Sequence, residues 1–272
     1  MSEVALCSSS RLQNHVVVVT GSCTGIGRAI AKRCVQEGAS VVIHGLEPDL
    51  ALEVVAELGE TRAVALVEDL TVDGCPSRLV ELALSRFGRL DAVVNNAAWV
   101  ASGNLQSTDL HFLRRMLEVN TVAPFALIQA ALPALEKTRG CVLNIGSVNA
   151  WSGEPNLLPY SVSKGALMTL TRNLGDSLMR DHGVRVNQIN PGWVLTENEA
   201  KRKREHGLRE DWYRDLPKMY APAGRILWPS EIAAAAVYWL ADESGPISGQ
   251  VMDLEQHPFI GRNPPKDGTT IP

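Results

Sequence analysis

Tyr160 and Lys164 stand four residues apart in Tyr160-Ser161-Val162-Ser163-Lys164, so on a helix they share one face, a turn apart. A free phenol titrates near ~10, too high for acid/base work at neutral pH, and an ammonium within a few ångströms favours the phenolate. Upstream, Asn144-Ile145-Gly146-Ser147 closes a predicted strand at its carboxyl edge, where ligands bind in open α/β sheets. The Ser147 hydroxyl there is suited to hold an oxygen that gains negative charge. Asn120, in Glu118-Val119-Asn120-Thr121, is a polar amide within an apolar helical stretch. The residues alone leave it open between a satisfied core amide and a working one. Together the set suits proton exchange at an alcohol or carbonyl oxygen.

A second constellation lies near the start. Thr20-Gly21-Ser22-Cys23-Thr24-Gly25-Ile26-Gly27 follows a β-branched run and leads directly into Arg28-Ala29-Ile30-Ala31. Free N–H groups and the positive dipole end of a helix N-terminus favour a phosphate there. Gly21 permits the sharp turn, Gly25 the approach of backbone to pyrophosphate, and Gly27 close helix–strand packing.

The elements that must position these groups alternate along the chain. Continuous apolar runs predict strands at 15–20, 40–44, 63–67, 90–95, 141–145, 184–189 and 250–254. Helical periodicity predicts helices at 25–37, 49–58, 77–87, 108–135, 159–180 and 230–240, with Gly38, Gly59, Gly88, Gly140 and Gly183 where helices stop. That rhythm predicts an α/β fold, a Rossmann-type, doubly wound, seven-stranded parallel sheet with helices on both faces. The chain of 272 residues reads as a single dinucleotide-binding catalytic domain. Residues 196–226 interrupt the rhythm as a charged, aromatic insertion (Trp212, Tyr213, Tyr220), expected to be a substrate lid, and 257–272 read as a proline-bearing C-terminal arm.

Composition narrows the classes. The net charge of -4 argues against nucleic acid. Lys201, Arg202, Lys203 and Arg204 form one basic cluster among acids and read as a solvated helix face. The apolar run Ile232–Ala241 is far shorter than the ~20 residues that span a bilayer, so no membrane partner is expected. Cys7, Cys23, Cys34, Cys75 and Cys141 show no paired spacing, as in a reduced, cytoplasmic protein. The scattered histidines form no metal-ligand pair, and Ser147 lacks the G-x-S-x-G elbow of a serine hydrolase.

The G-x-x-x-G-x-G turn with Ser147, Tyr160 and Lys164 resembles the short-chain dehydrogenase/reductase family. Other signatures fall in order: Asp69-Leu70 after the third strand, Asn95-Asn96-Ala97-Ala98 after the fourth, and Asn190-Pro191-Gly192-Trp193-Val194 after the sixth. The resemblance spans roughly 12–253. It implies an NAD(P)-dependent oxidoreductase that interconverts an alcohol and a carbonyl, with Tyr160 as acid/base, Ser147 on the substrate oxygen and Lys164 also on the nicotinamide ribose. It implies a relay role for Asn120, adenine contact by Asp69, carboxamide contact by Thr196, and a small-molecule substrate. The implied cofactor-binding set is Gly21, Cys23, Thr24, Gly25, Ile26, Gly27, Gly45, Leu46, Asp69, Leu70, Asn95, Ala97, Tyr160, Lys164, Pro191, Gly192, Val194 and Thr196. It also implies a homotetramer, in which the arm would cross to a neighbour or lie as a surface tail.

Three departures bear on specificity. At the end of the second strand Gly45 stands where NAD users carry an acid and Leu46 where NADP users often carry an arginine, while Glu47 is near; the balance leans slightly to NAD. Ala98 replaces the usual glycine, and Val251-Met252-Asp253-Leu254-Glu255-Gln256 replaces a glycine-rich close. Around the substrate, Ser147, Asn149, Trp151, Glu154, Tyr160 and Trp193, with Asn198, mix flat apolar faces and hydroxyl-binding groups, a set suited to a sugar or polyol. A hydrophobic ketone or 3-oxoacyl reductase, an epimerase that keeps its cofactor, and a non-catalytic cofactor sensor are the competing readings.

Overall fold

The computed structural model describes residues 10–258 except His206, Asp215 and Tyr220. Most of the arm, from Phe259 on, and the first nine residues therefore lie outside the described residues, as does the expected aromatic Tyr220 of the insertion. Seven parallel strands form one sheet: β1 Val16–Val19, β2 Ser40–Gly45, β3 Ala63–Val67, β4 Ala92–Asn95, β5 Cys141–Ile145, β6 Arg185–Pro191 and β7 Val251–Leu254. Their order is β3-β2-β1-β4-β5-β6-β7, so the direction of winding reverses between β1 and β4. A crevice opens at such a switch point, beyond the carboxyl ends of the strands.

The run of valines in β1 is buried on both faces, because each face meets its own helical layer. Val17 and Val19 join Ile43 and Leu143 against α1 (Gly25–Gln36) and α9 (Pro229–Leu240), through Ile30, Cys34, Ile232 and Val237. Val16 and Val18 face the other way, against Leu79 of α3 (Cys75–Phe87) and Leu127 and Leu135 of α5 (Ala123–Thr138). Among the described residues the other α-helices are α2 (Pro48–Leu58), α4 (Leu110–Leu117), α6 (Asn149–Ser152), α7 (Leu158–His182) and α8 (Glu197–Glu205).

The structure departs from the sequence expectation in two places. The expected helix at 108–135 is α4 and α5 joined by a π-helical turn, Glu118–Val122, centred on Asn120. Pro124 has no N–H for the carbonyl four residues back, that of Asn120, so the regular ladder cannot continue there. By length and apolar character the continuous stretch Leu110–Thr138 would pass for a membrane span, yet Leu127, Ile128, Ala131 and Leu135 are core residues of the second layer. At the end of α5 the left-handed cap is Arg139 (φ 51°) and not Gly140, which stays small because a side chain would strike the Asp91 carbonyl. Gly59, Gly88 and Gly183 do cap α2, α3 and α7.

Candidate active site

One cleft of about 1380 Å³ runs along the switch point, from the phosphate turn to the insertion. It is larger than an ordinary drug-sized pocket and has room for a dinucleotide with a small substrate beside it.

At one end the turn after β1 is held by a tight polar lattice. The Thr20 hydroxyl accepts from the backbone N–H groups of Asn96 and Ala97 at 3.0 Å each, and the Asn96 amide donates to the carbonyls of Thr20 and Gly21 at 2.9 Å. Gly21 takes φ 61°, and a side chain on it would meet the Ala97 Cα at 2.8 Å. Gly27 lies behind the turn, where a Cβ would be driven into the Gly21 carbonyl. His44, buried and held below its ordinary pKa by that burial, accepts the Gly21 N–H through Nδ1 at 3.3 Å. The N-terminus of α1 is thus open to an anion, and one is already present. Glu197 of α8 accepts the Gly25 N–H at 2.9 Å, a carboxylate standing where a phosphate oxygen would stand. The cradle therefore fits a dinucleotide's pyrophosphate.

Of the expected cofactor set, Gly21, Cys23, Thr24, Gly25, Ile26, Gly45, Leu46, Asp69, Leu70, Ala97, Tyr160, Lys164, Pro191, Gly192, Val194 and Thr196 line this one cleft. Gly27 and Asn95 do not line it; Asn95 is buried and donates to Asn144 Oδ1 at 2.9 Å, tying β4 to β5. Asp69 receives the backbone N–H and hydroxyl of Thr71 and the guanidinium of Arg115 at 2.7 Å. Burial raises its pKa, but those partners outweigh it and hold the carboxylate below its usual range. Arg115 was not foreseen, because nothing in α4's sequence distinguishes it from its neighbour Arg114.

Deeper in the cleft, α7 carries Tyr160 and Lys164 past the end of β5, where Ser147 stands. Ser147 and Tyr160 face the same cleft, and the Ser147 hydroxyl favours the Tyr160 phenolate. Burial pushes the Tyr160 hydroxyl above its ordinary pKa, while the Ser147 hydroxyl and the charge of Arg202 pull the other way. Lys164 donates to the Ile145 carbonyl at 2.7 Å, with Nζ 5.8 Å from the centre of the Tyr160 ring. It is 2% exposed, and burial pushes its ammonium down to about 8.

Asn120 is fully buried and its amide is satisfied within the fold. It donates to the Trp99 carbonyl at 2.9 Å and the Ser163 hydroxyl at 3.0 Å, and accepts the Trp99 N–H at 2.8 Å. The Ser163 hydroxyl in turn donates to the Tyr160 carbonyl at 2.7 Å, so Asn120 braces the helix turn that bears the tyrosine.

The substrate end gathers Asn149, Glu154, Trp193 and Asn198 around Ser147 and Tyr160. Trp151 is not among the lining residues: its indole N–H donates to Asp253 at 2.9 Å and Arg172 lies over its ring at 5.0 Å, so it pins α6 to β7. The basic cluster also divides differently from the expectation of a solvated face. Arg202 and Lys203 line the cleft with Glu199, because α8 turns one side inward. Glu199 accepts the Trp193 indole N–H at 2.8 Å and ion-pairs with Arg202, while Lys203 lies 5.0 Å over the Trp193 ring. Trp212, beyond α8, stacks on Trp193 at 5.1 Å. The stem of the insertion is closed by Leu195 and Leu227, whose N–H groups bond Leu227 O and Trp193 O. Glu255 and His257 complete this wall. Glu255 accepts the Trp193 N–H at 3.0 Å, a position possible only beside the bare Gly192.

A doubly wound sheet with a phosphate cradle at its switch point and a Ser–Tyr–Lys group beside it defines a nucleotide-dependent oxidoreductase. Comparison with known proteins agrees. A family model described as Enoyl-(Acyl carrier protein) reductase matches residues 21–255. An L-fucose dehydrogenase of Mus musculus is 37% identical over 242 residues, 88% of this chain and 86% of that one. A 3-beta-hydroxysteroid dehydrogenase of Comamonas testosteroni is 30% identical over 248 residues, 91% and 96% of the two chains. A meso-2,3-butanediol dehydrogenase of Serratia marcescens is 30% identical over 245 residues, 88% and 92%. The chain belongs to the short-chain dehydrogenase/reductase family and is an NAD- or NADP-dependent enzyme acting on CH–OH groups.

Proposed function

We propose that the enzyme oxidises a small polyhydroxylated alcohol, a sugar or polyol, with NAD as the acceptor and Tyr160 as the group that takes the substrate's hydroxyl proton. The observation that carries this is the meeting of Ser147, Tyr160 and Lys164 in one cleft whose substrate end is lined by Asn149, Glu154, Asn198, Glu199 and Glu255. Such carboxylates and amides match neighbouring hydroxyls, and an apolar face remains on Trp193. The names of relatives, an L-fucose dehydrogenase and a butanediol dehydrogenase, support the same class.

The bound nicotinamide supplies the hydride chemistry. The chain's own work is to hold the reacting oxygen between Ser147 and Tyr160, to exchange its proton at the Tyr160 hydroxyl, and to keep positive charge near that hydroxyl through Lys164 and Arg202. The pyrophosphate would be held at the N–H groups of the 21–27 turn, and the adenine beside Asp69 and Leu70. In this reading 196–226 is a lid over the substrate. The unpaired, buried Cys23, Cys34, Cys75 and Cys141 support a reducing, cytoplasmic setting. Exposed Val122, Phe125 and Val162 on the helices flanking the site support a homotetramer.

The test is turnover on a panel of aldoses, polyols and hydrophobic ketones, followed as net NADH formation or consumption. The expected result is NADH formed from a sugar or polyol, and loss of it in Tyr160→Phe with NADH binding retained. Turnover of hydrophobic ketones alone would refute the substrate class. Full activity in Tyr160→Phe would refute the role of the tyrosine.

A further inference from the structure

The end of β2 has no side chain at the position from which an acid would read the adenine ribose. Gly45 is buried, and a Cβ built on it would run into the Cys23 thiol, with Cys23 Cβ at 3.2 Å. Cys23 is itself 3% exposed and packed under the strand end, so the thiol fills the volume an acid at 45 would need. Glu47 approaches the same spot from outside. Its Oε2 lies 3.8 Å from where a Gly45 Cβ would stand and accepts the Leu46 N–H at 3.3 Å, so the side chain folds back over the strand end. Glu47 lines the cleft alongside Cys23, Gly45 and Leu46.

The cations are arranged to match. Arg28, on the first turn of α1, faces Glu57 at 2.9 Å and Glu53 at 3.9 Å, and Lys32 also ion-pairs with Glu57. Among the described residues, the Lys and Arg side chains lining the cleft are Arg115, Lys164, Arg202 and Lys203. Arg115 is engaged by Asp69 and Thr71, and Lys164, Arg202 and Lys203 belong to the catalytic and substrate end. At the ribose end this leaves a carboxylate and no cation free for a 2′-phosphate.

We propose that Glu47 is the residue that reads the ribose diol and selects NAD over NADP, and that the Cys23–Gly45 packing is what moves this acid two positions along the chain. The proposal rests on the reading of NAD as cofactor given above. A carboxylate accepts from both hydroxyls of a diol and repels a phosphate in the same place.

The experiment is fluorescence titration of the purified protein and of Glu47→Gln and Glu47→Ala with NADH and NADPH separately. Glu47 is exposed, so these variants keep the fold. Loss of charge-assisted hydrogen bonds weakens NADH binding about tenfold to hundredfold and leaves NADPH unchanged or tighter. Wild-type preference for NADH that persists in both variants would overturn the role of Glu47 while the NAD reading stands. Wild-type preference for NADPH would overturn both. For the packing half, Gly45→Asp is compared by thermal denaturation with Gly45→Asp/Cys23→Gly. The second substitution restores part of the lost Tm; equal losses in the two would overturn the steric argument.

Discussion

Lys164 is held at a thermodynamic disadvantage. Its ammonium is 2% exposed and donates to the Ile145 carbonyl at 2.7 Å, and burial lowers it from 10.5 to about 8. At about 1.4 kcal/mol per pH unit of that displacement, charging the folded protein below pH 8 forfeits about 3 kcal/mol relative to the unfolded chain. Between pH 8 and 10.5 the unfolded chain binds the proton that the folded one has released. Stability therefore rises with pH across this window, is fullest above 10.5, and is lost as pH falls through 8. Lys164→Met keeps the stem and removes the titration. Urea unfolding of both proteins at pH 7 and pH 10.5 isolates this group, because the other titrations cancel in the difference. The stability of the wild type relative to Lys164→Met should increase by about 3 kcal/mol from the lower pH to the higher. Parallel pH profiles for the two proteins would mean the lysine keeps an ordinary pKa, and the burial argument would fail.

Two further outcomes follow from the phosphate cradle. Glu197→Gln removes the carboxylate that the cofactor must displace from the α1 N-terminus, and should tighten NADH about two- to fivefold by calorimetry. Unchanged or weaker binding would show that the carboxylate is no obstacle. Gly27→Ala forces a methyl group against the Gly21 carbonyl and the Asn96 amide, and should cost about 1–3 kcal/mol in denaturant unfolding along with saturable NADH binding. A stable, NADH-binding Gly27→Ala protein would contradict the packing described.

The sheet was readable because buried parallel strands write their presence directly, as in Val16–Val19 and Cys141–Ile145, and because glycines mark the turns between them. The order of motifs along the chain placed Ser147, Tyr160 and Lys164 together, since each ends or begins an element at the same edge of the sheet. What stayed hidden were contacts made by side chains whose local sequence carries no period. Arg115 and Arg114 look alike in sequence, and only the rotation of α4 sends Arg115 to Asp69. Arg202 and Lys203 sat in a run of charges that composition alone assigns to solvent. Trp151 lies close to Ser147 in sequence, which suggests the pocket, but four residues of helix, α6, turn it outward to Asp253. The π turn at Asn120 had one sequence signal, Pro124, whose missing N–H falls on that residue's carbonyl.

The stack of Trp193 on Trp212 has an optical consequence. The two indoles lie 5.1 Å apart and 26° from parallel, one on the rim of β6 and the other in the insertion, with Lys203 within 6 Å of both ring centres. Rings so close share their electronic excitations, and the rotational strength of the pair depends on their separation and mutual angle. Any displacement of Trp212 relative to Trp193 alters that coupling. The near-ultraviolet circular dichroism of the unlabelled enzyme is therefore an intrinsic gauge of where residues 196–226 sit, at any stage of the catalytic cycle.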